Sequence, residues 1–128
     1  MQAFILVGIA GAAGAVSRYA VSLAAERSLG NHFAFGTLLV NVVGCVALGF
    51  LLEIERNSTL ISHPMRLLFA VGFLGAFTTF STFGYETFRY WQEGNSQLAL
   101  ANVSANLVLG LVGVWLGWAA ARFLVPAA

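Results

Sequence analysis

The run Gly72-Phe73-Leu74-Gly75-Ala76-Phe77-Thr78-Thr79-Phe80-Ser81-Thr82-Phe83 sets four hydroxyls, two glycines and four phenyl rings inside an otherwise apolar stretch. Hydroxyls donate hydrogen bonds, and a phenyl ring has a negative face and a positive edge. Donors and ring edges together suit a small anion in transit. A conducting site must attract the ion enough to admit it and release it readily, and a buried arginine would hold it too tightly. Phe69, Phe73, Phe77, Phe80 and Phe83 recur every three or four residues as one aromatic stripe. Phe80 and Phe83 alternate with Thr79, Ser81 and Thr82 and belong to the polar part of it. Elsewhere, Thr37 and Asn41 lie four apart, as do Asn102 and Asn106, so each pair shares a helix face. Gly44 and Cys45 continue the first face, and Gly110, Gly113 and Gly117 the second, whereas Ser104 falls on the other side. The candidate ion path is therefore Phe80, Phe83 and Asn41, then Thr79, Ser81 and Thr82, then Asn102 and Asn106.

These residues need spans to carry them. The chain is 59% hydrophobic and 9% charged, against about 25% charged in soluble domains, so lipid must cover its surface. Four spans are expected: Ala3 to Ala24, Phe35 to Leu52, Leu67 to Trp91 and Gln97 to Leu124. Each is long enough to cross about 30 Å of hydrocarbon. The expected fold is an all-α membrane protein, one domain over residues 1–128, with loops at Glu26 to Ala34, Glu53 to Pro64 and Gln92 to Ser96. The third helix is expected to break in mid-membrane, where open backbone survives only if protein buries it or a wet cavity meets it. The first span carries Arg18 and three glycines and lacks a basic leader, so it reads as a span and not a signal peptide. Gly8, Gly11 and Ala15, and Gly110, Gly113 and Gly117, are small residues that let helices approach closely.

Other chemistry finds little support. Cys45 alone makes no intramolecular disulfide. His32 and His63 stand in loops without a carboxylate cluster, so no metal site is expected there, and His63-Pro64 reads as the turn that starts the third span. Asn57-Ser58-Thr59 matches a glycosylation acceptor only weakly. Glu86 is a lone carboxylate that could pair with Arg89. No nucleophile–base constellation is present and no enzyme is expected, and a net charge of +1 gives no basic surface for nucleic acid.

The charges are balanced in an informative way. There is no lysine. Arg56, Arg66 and Arg122 fall on one side of the membrane, and Arg27, Arg89 and Arg18 on the other. Orientation normally follows an excess of basic residues in cytoplasmic loops, and here there is none. The chain is expected to insert both ways and to pair antiparallel, an inverted arrangement that transporters also use. Arg18, near one interface, either concentrates anions at a vestibule or only snorkels.

The run from Gly72 to Phe83 closely resembles the signature of the Fluc/CrcB family of small fluoride channels. Gly11-Ala12-Ala13-Gly14-Ala15 leading to Arg18-Tyr19, and Gly36-Thr37-Leu38-Leu39-Val40-Asn41-Val42-Val43-Gly44, resemble it too. The resemblance implies an antiparallel dual-topology homodimer with two pores in a prokaryotic inner membrane, passing fluoride and limiting its toxicity. It implies that Phe80, Phe83 and Asn41 line the pores. It also implies a structural Na+ at the dimer centre, held by backbone carbonyls at Gly75 and Thr78. Relatives carry Tyr or Ser hydroxyls where this chain has Asn102, Asn106 and Gly110. Two other readings stand beside this one. A small multidrug-type proton-coupled exporter would need a carboxylate in the first span, which has none before Glu26. A non-transporting helper subunit would pack against a partner and show no flux.

Overall fold

The computed structural model describes residues 1–125 and is all helix, with four helical units long and apolar enough to cross a membrane. Helix α1 runs Gln2–Leu29 and α2 runs Phe35–Asn57. The third unit, His63–Gln92, is composite: α3 (His63–Arg66), a π-helical stretch (Leu67–Leu74), α4 (Gly75–Phe77) and, after a break, α5 (Phe80–Gln92). Helix α6 runs Ser96–Leu124. The shortest unit, α2 with 23 residues, is about 34 Å long at 1.5 Å per residue, enough to span the hydrocarbon.

Two boundaries differ from expectation. Helix α1 continues past Ala24 to Leu29, where Gly30 at φ 81° turns the chain and donates its N–H to the Glu26 carbonyl. Only glycine adopts that conformation without steric cost. Helix α2 continues past Leu52 through the polar residues to Asn57, and the loop shrinks to residues 58–62. The Asn57 side-chain amide donates to both the backbone carbonyl and the carboxylate of Glu53, at 2.9 and 2.8 Å. Glu53 is itself buried against Arg122 of α6, at 4.0 Å. Charged residues that read as a loop thus fold as a last helical turn because another helix answers them. Pro64 sits in the first turn of α3, as expected.

Small residues fix which helices touch. Helix α2 lies along α6, with Gly113 against Val42 and Val46 and Gly117 against the Val46 carbonyl, too close for any Cβ. Helix α1 lies along the π stretch, where a Cβ on Gly72 would come 2.7 Å from that of Ala10. On α1 the close contacts are made by Gly14, under the Phe73 carbonyl, and by Gly11, whereas Gly8 meets nothing. The expected Gly8–Gly11–Ala15 face is therefore rotated by part of a turn. Val40, Leu74 and Phe77 form the small core beside the break, with Phe73 stacked on Phe77 at 5.7 Å. Most large apolar side chains point outward, among them Ile9, Val16, Leu107, Leu111 and Trp115, which is the inside-out pattern of a chain solvated by lipid.

Candidate functional site

The break is built by Thr78 and Thr79. Both have extended backbone, at φ −85°, ψ 160° and φ −151°, ψ 118°. Threonine is β-branched and its hydroxyl competes for nearby backbone groups. The Thr78 hydroxyl donates back to the Leu74 carbonyl at 3.0 Å and closes α4. The Thr79 hydroxyl accepts the Thr82 N–H at 3.2 Å and so caps the start of α5, a role that threonine fills well. Opening the helix takes donors away from two carbonyls in particular. In a continuous helix Gly75 C=O would accept from Thr79 N–H, and Thr78 C=O from Thr82 N–H. Here Thr79 N–H goes to Asn41 Oδ1 and Thr82 N–H to Thr79 Oγ1.

Asn41 of α2 replaces the missing helical bonds. Its Oδ1 accepts the Thr79 N–H at 2.9 Å, and its Nδ2 donates to the Thr79 carbonyl at 3.1 Å. The second Nδ2 hydrogen goes to Asn106 Oδ1 at 2.9 Å. Helix α2 comes this near because Gly44, one turn on, sits against the Thr78 methyl with no space for a side chain. Asn106 Nδ2 donates in turn to the side-chain and backbone oxygens of Asn102. Asn102 is fully buried and donates to Thr87 Oγ1 at 2.9 Å. Asn41, Asn102 and Asn106 are therefore one connected network, from which Thr37, the expected companion of Asn41, stands apart, and Thr87 is a member that the sequence did not single out.

The hydroxyls of the break have an order set by their single protons. Thr79 Oγ1 donates to Thr82 Oγ1 at 3.0 Å, so at the 3.3 Å contact between Thr79 Oγ1 and Ser81 Oγ the serine must be the donor. The series ends at Thr82, whose proton has no acceptor among the described residues. Phe80 is 83% exposed, and its ring lies 5.5 Å from that of the half-buried Phe83, tilted by 53°. Both rings line a cleft of about 540 Å³ together with the polar residues Asn41, Thr78, Thr79 and Asn106 and the apolar residues Leu48, Leu74, Val103 and Leu107.

A second cavity of about 440 Å³ opens beside α1 and is far more polar, with Ser22, Glu26, Thr37, Thr82, Glu86 and Arg89 in its wall. Thr82 belongs here and not to the larger cleft. The expected Glu86–Arg89 pair is absent. Glu86 instead accepts from the Thr37 hydroxyl at 2.9 Å, across the helix interface, and Arg89 pairs with Glu93 one turn on at 3.7 Å. Thr37 projects from α2 straight at Glu86, whereas Arg89 lies toward the exposed end of α5. Arg18 is half-buried on α1 and lines neither cavity.

A family model described as CrcB-like protein, Camphor Resistance (CrcB), matches residues 5–118, which include the break, its asparagine clamp and both cavities. The chain belongs to the CrcB family. Similar members include proteins named fluoride-specific ion channel FluC from Geotalea daltonii and Geobacter sulfurreducens. Each is 43% identical over 124 residues, covering 97% of this chain and all of the relative. One of the same name from Clostridium perfringens is 40% identical over 94% of both chains. Within this CrcB-family chain the most densely bonded polar groups lie where the third helix opens. The groups left with spare donor capacity or bare ring surface are Thr82, Phe80 and Phe83.

Proposed function

We propose that this chain is a passive, fluoride-selective ion channel of a prokaryotic inner membrane. On this reading two copies pair antiparallel and form two pores that let fluoride leave the cell. The observation that carries the reading is the opened third helix, with exposed Phe80 and half-buried Phe83 on the cleft and Asn41 at its wall. It is supported by family membership and by relatives named for fluoride. Fluoride is a small, strong hydrogen-bond acceptor. Entering beside Asn41, it competes with Asn106 Oδ1 for one amide hydrogen, and the ring edges of Phe80 and Phe83 flank it. Thr82 offers the free hydroxyl proton on the polar-cavity side, with Ser81 and Thr79 behind it.

The bare apolar rim around Phe80 fits a dimer in which a second copy covers the cleft. Balanced arginines fit a pair of opposite orientation. A structural Na+ at the dimer centre fits Gly75 and Thr78, because theirs are among the carbonyls that lose their helical donors where the helix opens. A hard cation prefers such oxygens, and opened transmembrane helices supply them. Bound there, the ion neutralises carbonyl dipoles that would otherwise face each other.

The deciding experiment is fluoride efflux from liposomes holding the purified protein, with chloride as control. Fast, uncoupled, fluoride-selective flux is expected. Flux that requires a counter-moving proton, or none at all, refutes the channel.

A further inference from the structure

Asparagine can present either end of its amide to a neighbour, so its orientation carries information only if something fixes it. In this chain backbone groups and one hydroxyl do so. Thr87 has one proton, and it is committed to the Phe83 carbonyl at 2.8 Å, one turn back on α5. Toward Asn102 the Thr87 oxygen can therefore only accept, which obliges Asn102 to present Nδ2. Asn102 Oδ1 then faces Asn106 and accepts from its Nδ2 at 3.1 Å. That leaves Asn106 Oδ1 facing Asn41, where it accepts at 2.9 Å. Asn41 in turn must hold Oδ1 toward the Thr79 N–H. Each link has one possible sense, which Thr87 sets at one end and the Thr79 backbone at the other, with the Asn102 carbonyl holding Asn106 Nδ2 between them.

We propose that Thr87 and Asn102 are positioning residues for the ion path: together they set the amide orientation of Asn106 and, through it, of Asn41. Neither lines the cleft, and Asn102 is wholly enclosed. They act by keeping an acceptor, Asn106 Oδ1, against Asn41 Nδ2, the position from which an anion can take over that hydrogen. With the order reversed, Asn106 would meet Asn41 through N–H groups on both sides. Asn41 would then turn, and the Thr79 backbone would lose both of its bonds. The proposal rests on Asn41 standing on the ion path, but the orientation itself is measurable without any flux.

The variants are Thr87→Val, which keeps the shape and removes the acceptor, and Thr87→Ser, which restores it. The double variant Thr87→Val/Asn102→Leu removes both partners of that bond, and the backbone carbonyl at position 102 still accepts from Asn106 Nδ2, which limits the cost to folding. Two readouts are taken on dimers purified in lipid nanodiscs or liposomes. One is fluoride flux against chloride flux. The other is hydrogen exchange of the Asn41 side-chain amide, followed by nuclear magnetic resonance with asparagine-selective nitrogen labelling. In Thr87→Val and in the double variant, flux is expected to fall at least about tenfold and the Asn41 amide to exchange at least about tenfold faster, while Thr87→Ser returns both toward wild type. Wild-type exchange at Asn41 in the double variant overturns the proposal, as does a Thr87→Ser variant as impaired as Thr87→Val. A fall in flux with unchanged Asn41 exchange also overturns it, because Thr87 would then act by another route. If the wild-type protein itself passes no fluoride, the channel reading fails, and the exchange comparison alone still decides the positioning roles.

Discussion

Replacing Asn41 by Ala and by Asp tests its two duties, as a clamp and as a wall of the ion path. Asn41→Ala removes three hydrogen bonds, two to the Thr79 backbone and one to Asn106. Interhelical hydrogen bonds in membranes average about 0.6 kcal/mol each, so the loss is roughly 2 kcal/mol. Asn41→Asp keeps the bond from Thr79 N–H to Oδ1, now charge-assisted, but sets its second oxygen against the Thr79 carbonyl and Asn106 Oδ1, two acceptors that Nδ2 served. Asn106 is held by the Asn102 oxygens and does not turn to answer it. Asp therefore stabilises the fold no better than Ala. For the ion Asp is the worse of the two. A carboxylate about 4 Å from fluoride repels it by about 4 kcal/mol at an effective dielectric near 20, and by about 1 kcal/mol in bulk-like water. Even the smaller figure is several-fold in occupancy, and the larger approaches a thousandfold. The assay pairs thermal unfolding of the purified protein with liposome fluoride efflux. Asp should melt no higher than Ala and conduct at least about tenfold less, and lowering the pH until the carboxylate takes a proton should recover part of the flux. Equal or greater flux in Asp than in Ala would place Asn41 off the path and leave it as a clamp only.

Phe80→Ile should cut fluoride efflux at least about tenfold with the fold intact, since Phe80 is 83% exposed and its loss leaves no core cavity; undiminished flux would count against the ring-edge argument. Thr82→Val should lower flux while Thr82→Ser preserves it, because only the free hydroxyl proton is at issue, and equal flux in the two would remove Thr82 from the path. Gly117→Ala should destabilise the fold by about 1–3 kcal/mol, the usual cost of overpacking, by pushing α6 off the Val46 carbonyl, whereas Gly8→Ala should be silent; a chemical-unfolding comparison checks both. Replacing sodium by a bulky organic cation during purification should weaken the dimer and the flux together, and sodium should restore them. Carboxy-terminal reporter fusions should register on both sides of the membrane, and a single reported side would refute dual topology.

How much of this was legible in the residues depends on whether the cause was local. Spans and their number follow from hydropathy, which each segment carries by itself. The break was legible because paired threonines prefer capping and extended backbone wherever they stand. The π-helical stretch from Leu67 to Leu74 was not, because every face of that segment is apolar and its periodicity gives no sign of a wider turn. Its neighbour α1, brought close by Gly14 and Gly72, is known only from the fold. The last turn of α2 was hidden in the same way, since Glu53 is answered by Arg122 from the far end of the chain.

Polar residues in a membrane show this limit most sharply. Their type can be read from the sequence, but a donor is useful to an ion only if no other acceptor has claimed it. Asn41, Asn102 and Asn106 looked like three donors in line. In the fold both hydrogens of Asn41 are spoken for, Asn106 donates to both oxygens of Asn102, and Asn102 is enclosed behind them. The Thr79 hydroxyl is spent on Thr82, and Ser81 on Thr79. Saturation moves the burden of anion contact from the amides to the exposed ring of Phe80, the half-buried ring of Phe83 and the uncommitted hydroxyl proton of Thr82. It also gives the amides a different use. A fully bonded network has a single arrangement, so it can hold an opened helix in one shape while an ion passes, which separate, half-satisfied donors would fail to do.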